Sequence, residues 1–157
     1  MANIVPDSFK TDLLKSVFSF DTSGNSGTSF KLALYTSLGG FSTSTTAYTT
    51  TNEVSSSGTN YTAAGNALTN NGVAISSNIA YVDFADLTFS SVTLTAVGAL
   101  IYKSGGSNNA VLVLDFGGSK TATNGDFVIQ FPTPNSSSAI IRPVSYTHLT
   151  LPTNREV

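Results

Sequence analysis

Apolar positions near the start of the chain recur at helical spacing. Phe9, Leu13, Leu14 and Val17 draw one stripe, which predicts an α-helix over about 7–18 with Asp7 or Ser8 as its cap. The stretch DTSGNSGTS (21–29) is loop by composition. Beyond it the period changes to two. FKLALYT (30–36) sets Phe30, Leu32, Leu34 and Thr36 against Lys31, Ala33 and Tyr35, the alternation of a strand with one buried face. Residues 37–60 are long, polar and almost without charge; Ala47-Tyr48 and Glu53-Val54 can anchor them, and their length suggests a contact arm. Residues 61–78 offer short strand pieces around a turn expected at Asn70-Asn71-Gly72.

The strongest apolar runs lie in 79–104 and 110–118, joined by Gly105-Gly106-Ser107-Asn108-Asn109, which reads as a hairpin connection at the centre of the sheet. GDFVIQFPT (125–133) alternates again, and AIIR (139–142) can add a last strand. Short strands separated by Gly/Ser/Asn turns predict an all-β fold: β-sandwich or jelly-roll-like antiparallel sheets with one N-terminal helix, forming a single β-rich domain over 1–143.

Composition changes this picture at the surface. Apolar residues make up 40% of the chain but charged residues only 10%, against roughly 25% in an ordinary globular protein. Ser, Thr, Asn and Gly fill the difference, so the surface is neutral and rich in hydroxyls, which suits packing against neighbours. The net charge is −2 with no basic cluster, which argues against nucleic acid as a partner. With no cysteine there is no disulfide, thiolate metal site or Cys nucleophile. MANIVPDSFKTDLLK lacks the pattern of a Sec signal and no apolar run has the length of a membrane span, so synthesis in a host cytoplasm and no membrane partner are expected.

The texture breaks after Arg142-Pro143. Val144 to Thr153, VSYTHLTLPT, resembles the translated reverse complement of a transposase sequencing adapter, so 144–157 is expected to be a non-native, adapter-derived tail. His148, the only histidine, falls inside it. Setting the tail aside leaves no imidazole for a Ser-His-Asp mechanism or a metal site. The net charge does not change, because Arg155 and Glu156 cancel.

The candidate chemistry that remains is sparse. Asp83 and Asp86 can meet at a turn, and Asp115 and Asp126 are expected to flank a hairpin; a glycosidase would need such a pair in a sugar-binding cleft. Calcium at Asp83 and Asp86 would need more oxygens than the surrounding sequence offers. The simpler expectation is that these carboxylates hold turns. Gly105-Gly106 and Gly117-Gly118 read as turn glycines, since neither leads into a helix that could hold phosphate. Lys120 reads as a solvated loop charge. Tyr35, Tyr48, Tyr61, Tyr81 and Tyr102 are expected to pack across strands, with a ligand face as the rival reading. The stripe from Phe9 to Val17 is expected to dock on the protein's own sheet, with insertion into a neighbouring subunit as the rival. No catalytic, cofactor or metal residue is assigned.

In order along 8–142, the blocks FKTDLLKSVFSF, FKLALYTS, TTAYTTTNEVSSSGTNYTAAGNALTN, VDFADLTFSSVTLTAVGALIYKS, AVLVLDFGGSKTATNGDFVIQFPT and AIIR resemble a family of small, uncharacterised tailed-phage proteins. That resemblance implies a virion structural context and transfers no active-site residue. The expected role is non-enzymatic capsid decoration or cement, with other virion proteins, capsid or tail subunits, as partners and a homo-oligomer as the working form. Alternatives are a tail or head-fibre component, or a carbohydrate-binding module contacting host glycans.

Overall fold

A computed structural model describes residues 1–22 and 27–143. The adapter-like tail, with His148 and the apolar Tyr146, Leu149 and Leu151, lies outside the described residues. The chain runs α1 (Asp7–Leu14), β1 (Phe30–Tyr35), β2 (Asn66–Leu68), β3 (Asn70–Ser76), β4 (Ile79–Phe84), β5 (Leu87–Lys103) and β6 (Ala110–Ile129). All strand pairs are antiparallel, in one sheet ordered β2-β1-β5-β6 and a second formed by β3 and β4. The all-β architecture with one N-terminal helix is therefore the one adopted.

The β5–β6 hairpin is the spine. Gly105 and Gly106 turn it with positive φ (98° and 62°), as their place between two apolar runs predicts. The runs at 110–118 and 125–133, however, are not separate strands. They belong largely to the continuous β6, which ends at Ile129, and the breakers between them make bulges instead of turns. Phe116, Gly117, Gly118 and Ser119 stand opposite the single Val97, because the register steps from Ala96↔Lys120 to Gly98↔Asp115. Gly117 and Gly118 supply the positive φ (71° and 141°) that such an excursion needs. Two further irregularities flank the Val92↔Gly125 pair: Ser90 and Ser91 stand opposite Asp126, and Thr123 and Asn124 opposite Thr93, with Ser91 and Asn124 at positive φ (55° and 48°). Each bulge bends the ribbon while pairing continues on either side.

Burial along β5 changes at Gly98. Before it Phe89, Val92, Leu94 and Ala96 are buried on one face; from Gly98 to Tyr102 every residue is buried, so both faces are covered. On one face a core joins Leu32, Leu34, Ala99, Ile101, Val111 and Leu112 to an aromatic chain. Phe9, Phe18, Phe20, Phe30 and Phe84 meet at centroid distances of 4.9–6.3 Å, with Phe20 stacked on Phe30. Through Phe30–Phe84 this chain links the two sheets. The other face carries Ala33, Tyr35, Leu100, Tyr102 and Val113 beneath Leu38 and Phe41.

Four expectations need correction. The helix stops at Leu14 instead of reaching 18, because Ser16 enters the left-handed region (φ 60°) and the Val17 N–H donates to Asp12 O. Phe9 is buried, while Leu14 is 89% exposed. Pro6 occupies the cap position, and neither Asp7 nor Ser8 caps; the Ser8 hydroxyl donates to Thr45 O. The turn foreseen at Asn70-Asn71-Gly72 is a register shift at the start of β3, and the hairpin turns at Ser77-Asn78, both with positive φ. Finally, AIIR contributes one bridge, Val82↔Ile141, and no strand.

Candidate functional site

Residues 37–65 do not project as an arm. They are strapped onto the sheet: Leu38, Phe41 and Tyr48 cover its second face, and Val54 and Tyr61 pass round to the core on the first. Leu38 presses so closely on Gly98 that a Cβ there would lie 2.7 Å from its Cδ1. At the near end the Thr36 N–H donates to Asn52 O (2.8 Å) and the Val54 N–H to Leu34 O (2.9 Å). At the far end the Tyr48 N–H donates to Asn108 O and the Ala110 N–H to Thr46 O, both at 2.9 Å, which ties the strap to the β5–β6 turn. Thr43 O accepts from the Asp7 N–H, so the start of α1 closes over the same segment.

Glu53 is the hub of this segment. Its carboxylate accepts from the Tyr48 hydroxyl (2.6 Å), the Tyr61 hydroxyl (2.8 Å) and the Ala64 N–H (2.7 Å). Tyr61 Oη also accepts from the Leu34 N–H on β1, so one phenol bridges strap and sheet. The Tyr102 hydroxyl donates to Ala64 O (2.6 Å) and its ring stacks on Tyr48 at 4.7 Å, while the Tyr35 hydroxyl donates to Thr49 O (2.7 Å). Next to Ala64, Gly65 lies against the β1 backbone with φ +72°, where a Cβ would overlap Leu32 O.

Burial, reinforced by the Glu53 charge, pushes the Tyr35 and Tyr61 phenols far above the usual range. Tyr48 is raised by burial and by its hydrogen bond to Glu53, and Tyr102 is pushed up to about 12 by burial and the Glu53 charge. These phenols are donors that stay protonated near neutrality, which suits them to holding structure and not to proton transfer. Tyr35, Tyr61 and Tyr102 are buried, so of the five tyrosines weighed as a ligand face only Tyr48 and Tyr81 reach the surface, each half-buried.

The four candidate carboxylates are each committed locally. Asp83 accepts from Asn71 Nδ2, Asp86 from the Phe131 N–H and Asp126 from the Ser91 N–H. Asp115 takes the N-terminal ammonium at 2.6 Å and the Gly117 N–H at 2.9 Å, and these two donors lower its pKa in that order. Asp115 and Asp126 lie within one strand, not on either side of a hairpin. Among the described residues no three His, Cys, Asp or Glu side chains converge as a metal site would require. Lys120 is exposed beside the β6 bulge.

Two clefts remain. One of about 440 Å³ sits on the strap, lined by hydroxyl-bearing residues such as Ser42, Ser44, Thr46, Tyr48 and Thr51. The other, about 430 Å³ and mainly apolar, lies between α1 and 139–143, with Val5, Phe9, Leu13, Leu14, Ile140 and Pro143 on its walls. Sequence reasoning named Glu53 only as an anchor. The available signal was that it is the one acidic residue between Asp21 and Asp83, in a segment rich in tyrosine. Comparison of the chain with protein-family models, with curated proteins and with solved structures found no match.

Proposed function

We propose that the chain is a non-enzymatic structural protein of a tailed-phage particle, acting as a capsid-surface decoration or cement subunit. The block-by-block resemblance over 8–142 suggests the setting. The observation that carries the role is the strap: a hydroxyl-rich, almost chargeless segment held to the sheet from Thr36 to Gly65 by the Glu53 network. Such a surface is pre-organised, so a partner that packs on it orders few side chains on binding. Neutral hydroxyls also let copies approach without like-charge repulsion. Mass spectrometry of purified virions encoding this chain is the test. A copy number near that of the major capsid subunit supports decoration, a handful of copies favours the tail or a head fibre, and absence from the particle overturns the reading.

Glycan binding is the second reading, and the hydroxyl-lined cleft beside Tyr48 favours it. Saturable binding on a glycan array, lost on Thr51→Val with unfolding behaviour unchanged, would move the assignment to a carbohydrate-binding module.

A further inference from the structure

The β3–β4 hairpin leaves one strand edge open. Its two-residue turn at Ser77-Asn78 is closed by Ser76↔Ile79, and from there hydrogen-bonded and non-hydrogen-bonded pairs alternate. Ser76↔Ile79 and Ala74↔Tyr81 bond within the hairpin. Ile75↔Ala80 and Val73↔Val82 therefore turn their amide and carbonyl groups outward. The Val82 N–H fixes this phase independently, since it leaves the hairpin to donate to Ile141 O at 3.0 Å. On β4 the outward edge is thus occupied at Val82. On β3 the matching groups of Val73 and Ile75 have no backbone partner among the described residues.

The side chains at these positions are apolar and uncovered, Val73 at 57% and Ile75 at 72% exposure. They share a face with the buried Val82, opposite Val73 in the register. Proteins usually guard such an edge with lysine, proline, an inward charge or a bulge. From Asn70 to Val82 there is no charge and no proline, and the one irregularity ends at Gly72, before the open stretch.

We propose that this edge docks a second copy of the chain. Two β3 strands pair antiparallel about a two-fold axis through Ala74, so Val73 of each copy exchanges N–H···O bonds with Ile75 of the other. The hairpins then form one continuous sheet, and the four apolar side chains meet on one face. A second copy is the occupant these residues favour for two reasons. Self-pairing brings the two copies' identical edges together, so any charge on them is doubled at the contact, and 70–82 carries none. The pair on the axis is of the non-hydrogen-bonded kind, with Cα atoms at about 4.5 Å, and the residue there is Ala74, whose methyl permits that approach. Pairing uses up the β3 edge, and Ile141 blocks the β4 edge at Val82, so the two edges of the hairpin are not equivalent docking sites.

Docking of this kind is a property of the purified chain and does not depend on a place in a virion. Sedimentation of the full-length protein across micromolar to millimolar concentrations is expected to show a monomer–dimer equilibrium. Ala74 is exposed, so Ala74→Glu leaves the fold intact and sets two carboxylates face to face, weakening the dimer about a hundredfold. Ala74→Lys does the same. An equimolar mixture of the two variants restores the dimer, because opposite charges then meet on the axis. Amide exchange at Val73 and Ile75 is slow in the dimer and fast in either variant alone. A chain monomeric at every concentration overturns the proposal. So does a dimer indifferent to Ala74→Glu, or a mixture that stays dissociated.

Discussion

Replacing Glu53 with alanine removes the common acceptor of two phenols and one amide without touching the sheet. Hydrogen bonds to a charged acceptor contribute about 1.5–3 kcal/mol each when fully buried. Glu53 is only half-buried, so about 1 kcal/mol for each of its three partners is the fairer figure, and Glu53→Ala is expected to cost about 3 kcal/mol. Against a total of about 5–15 kcal/mol this is a large share, and it moves the urea midpoint down by roughly 1–2 M. The loss is also local. Ala64 and Val54 amides, bonded to Glu53 and to Leu34 O, should exchange by opening of the strap well before global unfolding. Glu53→Gln keeps an acceptor for Tyr61 and lets the Tyr48 hydroxyl turn to accept, so it should lose about 1 kcal/mol. A double-mutant cycle of Glu53→Ala with Tyr61→Phe should return a coupling energy near 1 kcal/mol. If Glu53→Ala unfolds at the wild-type midpoint, with Ala64 exchange unchanged, the strap is held by something other than this hub.

The tyrosines set a limit at high pH. Their folded pKa values lie above the ordinary 10.0, so their contribution is complete below about pH 10 and is lost as pH rises towards the folded values, about 12 for Tyr102. Counting only Tyr35 and Tyr61, whose shifts are the largest, stability should fall by about 3 kcal/mol per pH unit above 10. Phenolate absorbance from these residues should then rise together with unfolding, and ionisation of all the tyrosines before unfolding would contradict the burial argument. Gly65→Ala forces a Cβ onto Leu32 O at φ +72° and should cost about 3 kcal/mol or more. Gly106→Asn, also at positive φ but with open space around it, should cost under about 1 kcal/mol, and thermal melts of the two variants check both figures.

Where local signals and the tertiary fold agreed, the sequence was readable. Phe30–Tyr35 alternates as a strand and Gly105–Asn109 sits between two apolar runs, so both elements form as expected. The single buried face expected for β1 does not hold, because residues 38–48 cover Ala33 and Tyr35 on the other side. The bulges were harder. Gly117-Gly118 and Asn124-Gly125 announce that regular pairing fails, but only the pairing of β5 on both sides decides that the chain bends and does not turn back. The β3–β4 turn went to Ser77-Asn78 despite the stronger Asn71-Gly72 signal, because that register places Val82 and Phe84 in the core. The Glu53 hub gathers residues 48, 53, 61, 64 and 102, whose spacing follows no period; only the sheet brings them together.

The sheet order has a kinetic consequence. β3 with β4 and β5 with β6 are hairpins whose ends meet through a few residues, whereas β1 pairs with β5 by joining Phe30 to Lys103. Closing that span costs chain entropy before any contact repays it. The hairpins should therefore assemble early and β1 should insert late, carrying the strap with it. Leu34→Ala, on β1, is then expected to speed unfolding and leave the refolding rate almost untouched, while Ile101→Ala on β5 slows refolding.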